Sequence, residues 1–168
     1  MKSSFVCFLR LMILSVLFLF VSGWLFPLFA QRAYNRGADY RTAIGLGVDF
    51  GDGATGVGIS AKHFFTAHDV GEANLLFFPG NLTGLNALYE YHGYIAGAPG
   101  LKWYLGMGPQ LFFDNNETDF GVRPVLGMDL KIPSAPLNMA FDWRPYIQFT
   151  HGTGSIAGRF QFAFRFAF

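Results

Sequence analysis

The stretch Gly158-Arg-Phe-Gln-Phe-Ala-Phe-Arg-Phe-Ala-Phe168 decides the fold class of this chain. Its phenylalanines recur at every second position, and arginine, glutamine and alanine occupy the positions between them. A repeat of two residues matches a β-strand, whose successive side chains point to opposite faces, and does not match the 3.6-residue repeat of a helix. One face of this strand is aromatic and the other is polar, with two arginines. That polarity favours a strand with its apolar face toward lipid and its polar face toward a lumen.

The same alternation, clear in some segments and faint in others, recurs upstream. It predicts eight strands in all, at Arg41–Phe50, Gly56–Phe64, Ala73–Phe78, Leu85–Ile95, Leu101–Leu111, Phe120–Ile132, Leu137–Phe149 and Gly158–Phe168. The segment Ala73–Phe78 is apolar on both faces, so its register stays open. The well-defined strands have the roughly 9–11 residues that a tilted membrane strand needs. Short turns rich in glycine, proline and polar residues separate them, which predicts an up-and-down order.

The composition excludes several classes of protein. The chain has 168 residues, of which 52% are hydrophobic, 18% aromatic and 14% charged, with 21 glycines and 21 phenylalanines. This aromatic content excludes a disordered chain, and the charged fraction is well below the quarter typical of soluble domains. The formal net charge of +1 lacks the basic footprint of a nucleic-acid-binding protein. The length predicts a single domain.

The first thirty residues resemble a targeting segment. Lys2 and Arg10 precede a long apolar run, and Ala30 offers a small residue for cleavage. We therefore expect a signal peptide at 1–30, a short N-terminal periplasmic segment at 31–40 and a barrel at 41–168. Because the apolar run is longer than usual, a retained single-span anchor is the alternative. Cys7, the one cysteine, would be removed with the signal peptide, so no disulfide is expected in the mature chain.

Closure of the sheet follows from the physics of lipid. An open sheet would leave unsatisfied backbone groups in the bilayer, and eight strands close into a barrel just wide enough for side chains to fill. The predicted fold is thus an all-β, eight-stranded antiparallel up-and-down transmembrane β-barrel, preceded by a cleavable N-terminal signal peptide. Its inward face collects many of the glycines and also the charges, which should pair because isolated buried ions are costly. We expect a plugged polar network of Arg41, Asp49, Lys62, Glu90, Lys102, Arg123, Asp129, Lys131, Asp142, Arg144, Arg159 and Arg165.

Taken together, these features resemble a known family. The N-terminal segment, the eight alternating strands and the terminal Phe168 are similar to the small eight-stranded outer-membrane barrels of Gram-negative bacteria, which are OmpA-, OmpX- and OmpW-like. Four stretches resemble a subgroup described only as outer-membrane β-barrel or porin-family proteins: Asn81-Leu-Thr-Gly-Leu85, Leu88-Tyr-Glu-Tyr-His92, Leu101-Lys-Trp-Tyr-Leu-Gly106 and Asp142-Trp-Arg-Pro145. The resemblance extends over the mature chain and concerns location and fold, not activity.

The resemblance implies an outer-membrane location and a set of partners. In that family an aromatic C-terminal residue, with apolar residues at alternate positions before it, is the insertion signal read by the barrel-assembly machinery; Phe164, Phe166 and Phe168 match it. The other implied partners are outer-membrane lipids and lipopolysaccharide. We expect a monomer without cofactor, metal or nucleic acid. The turns are shorter than the outer loops that carry adhesion or receptor functions in relatives, which argues against such roles.

Three sequence patterns could carry other chemistry. Gly51-Asp-Gly-Ala-Thr-Gly56 has dinucleotide-site spacing, but a strand pattern follows it where that site needs a helix, so we interpret it as a hairpin turn. His63, His68, Asp69 and Glu72 could ligate a metal, although a solvated turn is the simpler interpretation. Asp114–Asp119 begins like a calcium loop but lacks the required glycine and closing glutamate.

The predicted function is that of an integral outer-membrane barrel with a narrow, charged, plugged lumen, without catalysis. It would have a structural or envelope role or pass small solutes to a very limited extent. The first alternative is a lipid-modifying enzyme of the lipid A deacylase type, for which His151 with Ser155, or Glu90 with His92, are the candidate residues. The second is a soluble periplasmic carrier of lipocalin type, but the phenylalanine face at 160–168 argues against it.

Overall fold

The protein is described by a computed structural model over residues 40–114, 117–150 and 154–168. The predicted signal peptide at 1–30 and all but Tyr40 of the segment at 31–40 lie outside these residues. The strands are β1 (Thr42–Gly51), β2 (Gly56–Phe64), β3 (Asp69–Phe77), β4 (Thr83–Tyr94), β5 (Leu101–Phe113), β6 (Thr118–Lys131), β7 (Leu137–Trp143), β8 (Tyr146–Gln148), β9 (Gly154–Ile156) and β10 (Arg159–Ala167). A 3₁₀ turn lies at Pro79–Asn81. Among the described residues, no helix has the length and apolar character to cross a bilayer.

The strands form one closed antiparallel barrel. Successive strands pair from β1 to β7, and β10 pairs with both β7 and β1, so the wall has no open seam along its main length. Strands β7 and β8 lie end to end and together act as one strand of the wall, and β9 and β10 do the same beside them. The ten strands therefore form a wall of eight. The predicted eight-stranded all-β barrel is confirmed. We call the end that carries Tyr40 and Phe168 the terminal end, and the end with the turns at 52–55, 78–82 and 114–117 the distal end.

Alternation along β10 is as the sequence predicts. Phe162, Phe164 and Phe166 are exposed on the outer wall, by 37%, 45% and 53%, whereas Gln161 and Arg165, at the alternate positions, are fully buried inside. The backbone of Phe168 completes the closure, because its carbonyl oxygen accepts hydrogen bonds from Arg41 and Thr42. The barrel therefore has an apolar outside and a polar inside.

Strand β3 is longer than the sequence pattern predicts. It begins at Asp69, not at Ala73, and the turn before it shrinks to 65–68. The pairs Lys62↔Glu72 and Val70↔Glu90 continue the ladder on both sides of the strand. Polar residues here do not indicate a turn because they face the polar lumen, so Glu72 and Asn74 point inward and are buried.

The predicted strand Leu137–Phe149 is broken at Arg144-Pro145. Between the pairs Leu126↔Trp143 and Val122↔Ile147, the ladder with β6 is interrupted. Extending this register places Pro124 opposite Pro145, and neither has a backbone N–H to donate. On the other side of the break, three residues from Ala157 to Arg159 stand opposite two, so the wall contains a bulge between β9 and β10.

Inward glycines permit close packing in the narrow barrel. A Cβ on Gly58 would lie 1.9 Å from the carbonyl oxygen of Leu75 on the neighbouring strand. One on Gly121 would lie 2.4 Å from Cε2 of Tyr146. These contacts are far below van der Waals distance, so the glycines are required by lack of space.

Candidate functional site

The candidate site is the charged interior of the barrel. Inward positions on every long strand contribute polar side chains because alternate residues of each strand face the lumen. Eleven charged side chains are at least 95% buried there: Asp49, Lys62, Glu72, Glu90, Lys102, Arg123, Asp129, Asp142, Arg144, Arg159 and Arg165. Such groups are tolerated away from water when they are paired and hydrogen-bonded.

Glu72 on β3 is the most connected carboxylate in the middle of the barrel. Its Oε1 accepts hydrogen bonds from Arg144 Nη2 at 3.0 Å and Asn74 Nδ2 at 2.8 Å. Its Oε2 accepts one from Arg165 Nη2 at 2.7 Å and lies 3.1 Å from Lys62 Nζ. Glu72 thereby joins three cations from β2, β10 and the break between β7 and β8, and its side chain is fully buried.

A second group of carboxylates lies toward the terminal end around Lys62. Its ammonium nitrogen is 2.9 Å from Glu90 Oε2 and 3.5 Å from Asp129 Oδ2. Tyr40, which precedes β1, donates its hydroxyl to Asp129 at 3.0 Å. Burial raises the pKa of Tyr40 well above its usual value and Asp129 raises it further, so the phenol keeps its proton. Tyr40 and Phe64 pack edge to face at 4.9 Å and close this end.

Uncharged amides connect the charged groups around the barrel. Asn74 donates to Asn86 at 2.7 Å, and Asn86 donates to Gln110 at 3.1 Å. Gln161 donates to Asn74 at 3.2 Å and accepts from Arg144 Nη1 at 2.7 Å. This chain of hydrogen bonds joins four strands and Arg144, which lies between β7 and β8, so the interior is a continuous network and not a set of separate ion pairs.

The distal end holds a different arrangement, which we call the distal cluster: Asp49, Phe78, Phe112, Arg123, Tyr146 and Arg159. Asp49 forms salt bridges with both Arg123 and Arg159. The Arg123 guanidinium lies over the rings of Phe112 and Tyr146, and Arg159 lies over Phe78. Cation–π contacts of this kind are strengthened by burial.

Glycines seat the rings of the distal cluster. A Cβ on Gly56 would lie 2.4 Å from Cε1 of Phe78, and one on Gly84 would lie 3.0 Å from Cε1 of Phe112. Gly121 has the same relation to Tyr146. The rings thus occupy space at the distal end of the lumen that side chains on these glycines would otherwise take.

The structure brings ten of the twelve predicted lumen charges into the interior: Asp49, Lys62, Glu90, Lys102, Arg123, Asp129, Asp142, Arg144, Arg159 and Arg165. It does not bring Arg41 and Lys131 there. Arg41 precedes β1 and is exposed. Lys131 ends β6, and its ammonium donates to the carbonyl oxygens of Ile132 at 3.1 Å and Ala135 at 2.6 Å in the adjoining turn. The alternation places both residues on the inward face, but they lie at the rim of the barrel, where an inward-facing side chain is not necessarily buried.

Sequence reasoning missed Glu72 and Tyr104 as members of the network. The polar residues before Glu72 predict a turn, although Glu72 lies on the same inward face as Val70 and Asn74. Tyr104 donates its hydroxyl to Asp142 at 2.5 Å, and Lys62 lies 4.1 Å from its ring centroid. Tyr104 follows Lys102 by two residues on the same strand, so the alternation in the sequence indicates that both side chains face inward.

The residues considered for metal binding point in different directions. His63 contacts Thr42 at 2.9 Å, His68 contacts the carbonyl of His92 at 2.7 Å, and Glu72 faces the lumen. Asp69 accepts hydrogen bonds from Thr66 and Tyr89, at 2.5 Å each. Across the part of the chain that the structure describes, no three histidine, cysteine or acidic side chains form a group that could hold a metal ion.

Among the described residues, those considered for hydrolysis do not form a catalytic group that a lipid substrate could reach. His92 Nε2 and Glu90 Oε2 are 2.8 Å apart, but both side chains are fully buried in the lumen, away from any lipid substrate. Ser60, on the inward face of β2, accepts hydrogen bonds from Nε and Nη2 of Arg165 at 2.9 Å and 2.7 Å. Ser155 is exposed on β9, and His151 lies outside the described residues. The described geometry therefore supplies no activated nucleophile.

No protein-family model matches the chain, and no curated protein sequence is significantly similar to it. The chemistry of the site therefore rests on its geometry.

Proposed function

We propose that this protein is an integral outer-membrane β-barrel, exported by a signal peptide at 1–30, with a narrow, charged and plugged lumen. Its role is to stabilise the envelope or to pass small solutes to a very limited extent. The proposal places no catalytic step in the barrel. Outer-membrane lipids and lipopolysaccharide are its surroundings, and the barrel-assembly machinery acts on it during insertion.

The outer wall is the observation that carries the proposal. Large apolar side chains are exposed on every long strand, among them Ile44, Leu46, Ile59, Phe77, Leu85, Leu105, Met107, Leu126, Met128, Phe141, Phe164 and Phe166. Soluble monomers rarely expose contiguous apolar patches of more than a few hundred Å². Here the apolar surface encircles the barrel while the polar side chains are inside, which is the polarity that lipid requires.

The interior supports a structural role over that of an open pore. Glu72 and Lys62 hold the middle of the lumen, and the rings of Phe78, Phe112 and Tyr146 fill its distal end. Side chains that are this heavily paired cannot move singly without leaving buried charges unpaired, which costs several kcal/mol. A conducting path would require a concerted rearrangement.

Membrane fractionation tests the proposal directly. We expect the native protein in the sarkosyl-insoluble envelope fraction, with gel mobility that changes on heating because the barrel resists detergent until it is boiled. Recovery in the soluble periplasmic fraction would contradict a membrane barrel. Single-channel recording in planar bilayers then separates the two roles: a closed lumen gives no resolved openings, whereas limited passage gives small ones.

Phe168 provides a test of assembly. Replacing Phe168 by serine keeps its backbone hydrogen bonds to Arg41 and Thr42 and removes only the aromatic ring, which is 63% exposed. We expect less heat-modifiable protein in the envelope, because the ring matches the family's insertion signal. The matched control is Phe65→Ser, a ring at the same end that is 64% exposed. Equal assembly levels in both variants would show that the ring at 168 has no special part in insertion.

A further inference from the structure

In the part of the chain that the structure describes, the buried cations outnumber the buried carboxylates by one. The buried side chains include six cations (Lys62, Lys102, Arg123, Arg144, Arg159 and Arg165) and five carboxylates (Asp49, Glu72, Glu90, Asp129 and Asp142). An uncompensated charge is expensive in a low-dielectric interior. A counter-ion would remove that cost.

The excess positive charge lies in the distal cluster. Arg123 and Arg159 share the single carboxylate of Asp49. Arg159 has further acceptors, since its Nη1 donates to the carbonyl oxygens of Asp52 at 2.7 Å and Ala54 at 2.8 Å. Among the described residues, Arg123 has Asp49 as its one hydrogen-bond acceptor. Arg123 is therefore the less compensated of the two.

Two buried donors in this cluster have no hydrogen-bond partner among the residues at 40–114, 117–150 and 154–168. They are Nε of Arg123 and the hydroxyl of Tyr146, and the two residues are 1% and 4% exposed. They belong to one cation–π pair, with the guanidinium carbon 5.9 Å from the ring centroid. Unsatisfied buried donors in native proteins commonly mark a water or an ion. Because the local charge is positive, an anion satisfies both the donors and the charge.

From these observations we propose that the distal cluster binds one small monovalent anion of halide size between Arg123 and Tyr146. The rings of Phe112 and Tyr146 lie so close to Gly84 and Gly121 that a Cβ would already be crowded there, and this crowding favours a small ion over a phosphate or a sugar acid.

Asp119 sets the affinity of this site from the distal rim. It lies four residues before Arg123 on β6, is half-buried, and accepts hydrogen bonds from Gln148 and Thr150 at 3.0 Å each. Its negative charge opposes an anion near Tyr146. Replacing it by asparagine should therefore tighten binding, whereas a merely structural role for Asp119 would not change anion affinity.

The first experiment compares thermal unfolding of the detergent-solubilised, heat-modifiable barrel in chloride, bromide and gluconate at constant ionic strength. We expect a higher midpoint in the two halides, because gluconate is too large for the site. Tyr146→Phe should weaken halide binding about tenfold or more, the equivalent of one buried hydrogen bond to a charged group. The difference between the midpoints in halide and gluconate should shrink accordingly. Tyr89→Phe, which removes a hydroxyl on the outer wall, should leave the halide effect unchanged.

Bromide diffraction gives a second readout. The anomalous map should show a peak beside Arg123 Nε in the wild type and a stronger one in Asp119→Asn at the same bromide concentration. Equal midpoints in chloride and gluconate, an undiminished halide effect in Tyr146→Phe, or a map without a peak at Arg123 would each overturn the site. A barrel that folds but ignores halides refutes this inference alone, whereas a chain found in the soluble fraction refutes the proposed membrane location.

Discussion

Leu46→Arg should prevent stable insertion of the barrel into a bilayer while leaving its interior untouched. Leu46 is 62% exposed on the outer wall, and its partners Ile59 and Phe164 are also outward and apolar. In lipid, an arginine at the middle of such a wall costs about 2–4 kcal/mol. In water, the same exposed substitution would cost less than about 0.5 kcal/mol. The size of the effect therefore distinguishes a membrane barrel from a soluble one.

The measurement is urea-induced unfolding of the barrel refolded into phospholipid vesicles, followed by the heat-modifiable gel band. Ala96→Arg is the matched control, since Ala96 is exposed in the turn between β4 and β5 and the same side chain is introduced there. We expect the control to unfold like the wild type. A Leu46→Arg variant as stable as the control would contradict the proposal that this wall faces lipid.

Glu72→Gln should be among the most destabilising conservative substitutions in the interior. The change keeps the size of the side chain but removes the charge that faces Lys62, Arg144 and Arg165. Breaking a buried ion pair by removing one partner typically costs about 3–5 kcal/mol, because the other charge stays buried and unpaired. We expect the free energy of unfolding in vesicles to fall by at least this amount.

The control is Glu117→Gln, which makes the same chemical change on an exposed residue at the distal end. A double variant gives a sharper test. Among the described residues, Glu72 is the carboxylate that forms a salt bridge with Arg165, so adding Arg165→Met to Glu72→Gln should cost less than the sum of the two single changes. Strict additivity, or a Glu72→Gln loss no larger than the control's, would show that Glu72 is not the centre of the network.

A network of this kind explains why the barrel tolerates so many buried ions. Hydrophobic side chains cannot hold the core together by exclusion from water if the outside of the barrel is itself in lipid. Directional contacts such as Arg165 to Glu72 and Tyr104 to Asp142 then specify one register and one set of strand neighbours. Under the proposed function, the interior charges therefore stabilise the barrel whether or not the lumen conducts.

Much of the barrel was predictable from the sequence because a strand repeats every two residues. The phenylalanines at 160–168 and the similar patterns on β1, β5 and β6 are local features, so they predicted strand type, strand number and the inward position of charges such as Asp49 and Arg123. Antiparallel order also followed, since short turns can join only neighbouring strands. Local alternation failed where residues lie at the rim, as for Arg41 and Lys131, and where a strand is polar, as at the start of β3.

Tertiary structure alone decided which charges meet. Glu72 contacts Arg144 and Arg165 across 72 and 93 residues of sequence, and no periodicity encodes partners at that separation. The same holds for the break at Arg144-Pro145, which exists because two prolines from different strands face each other once the register is set. Side-chain direction is a property of each strand, and so the sequence determined it. Pairing across the lumen is a property of the closed barrel, because only closure brings opposite walls within hydrogen-bond distance.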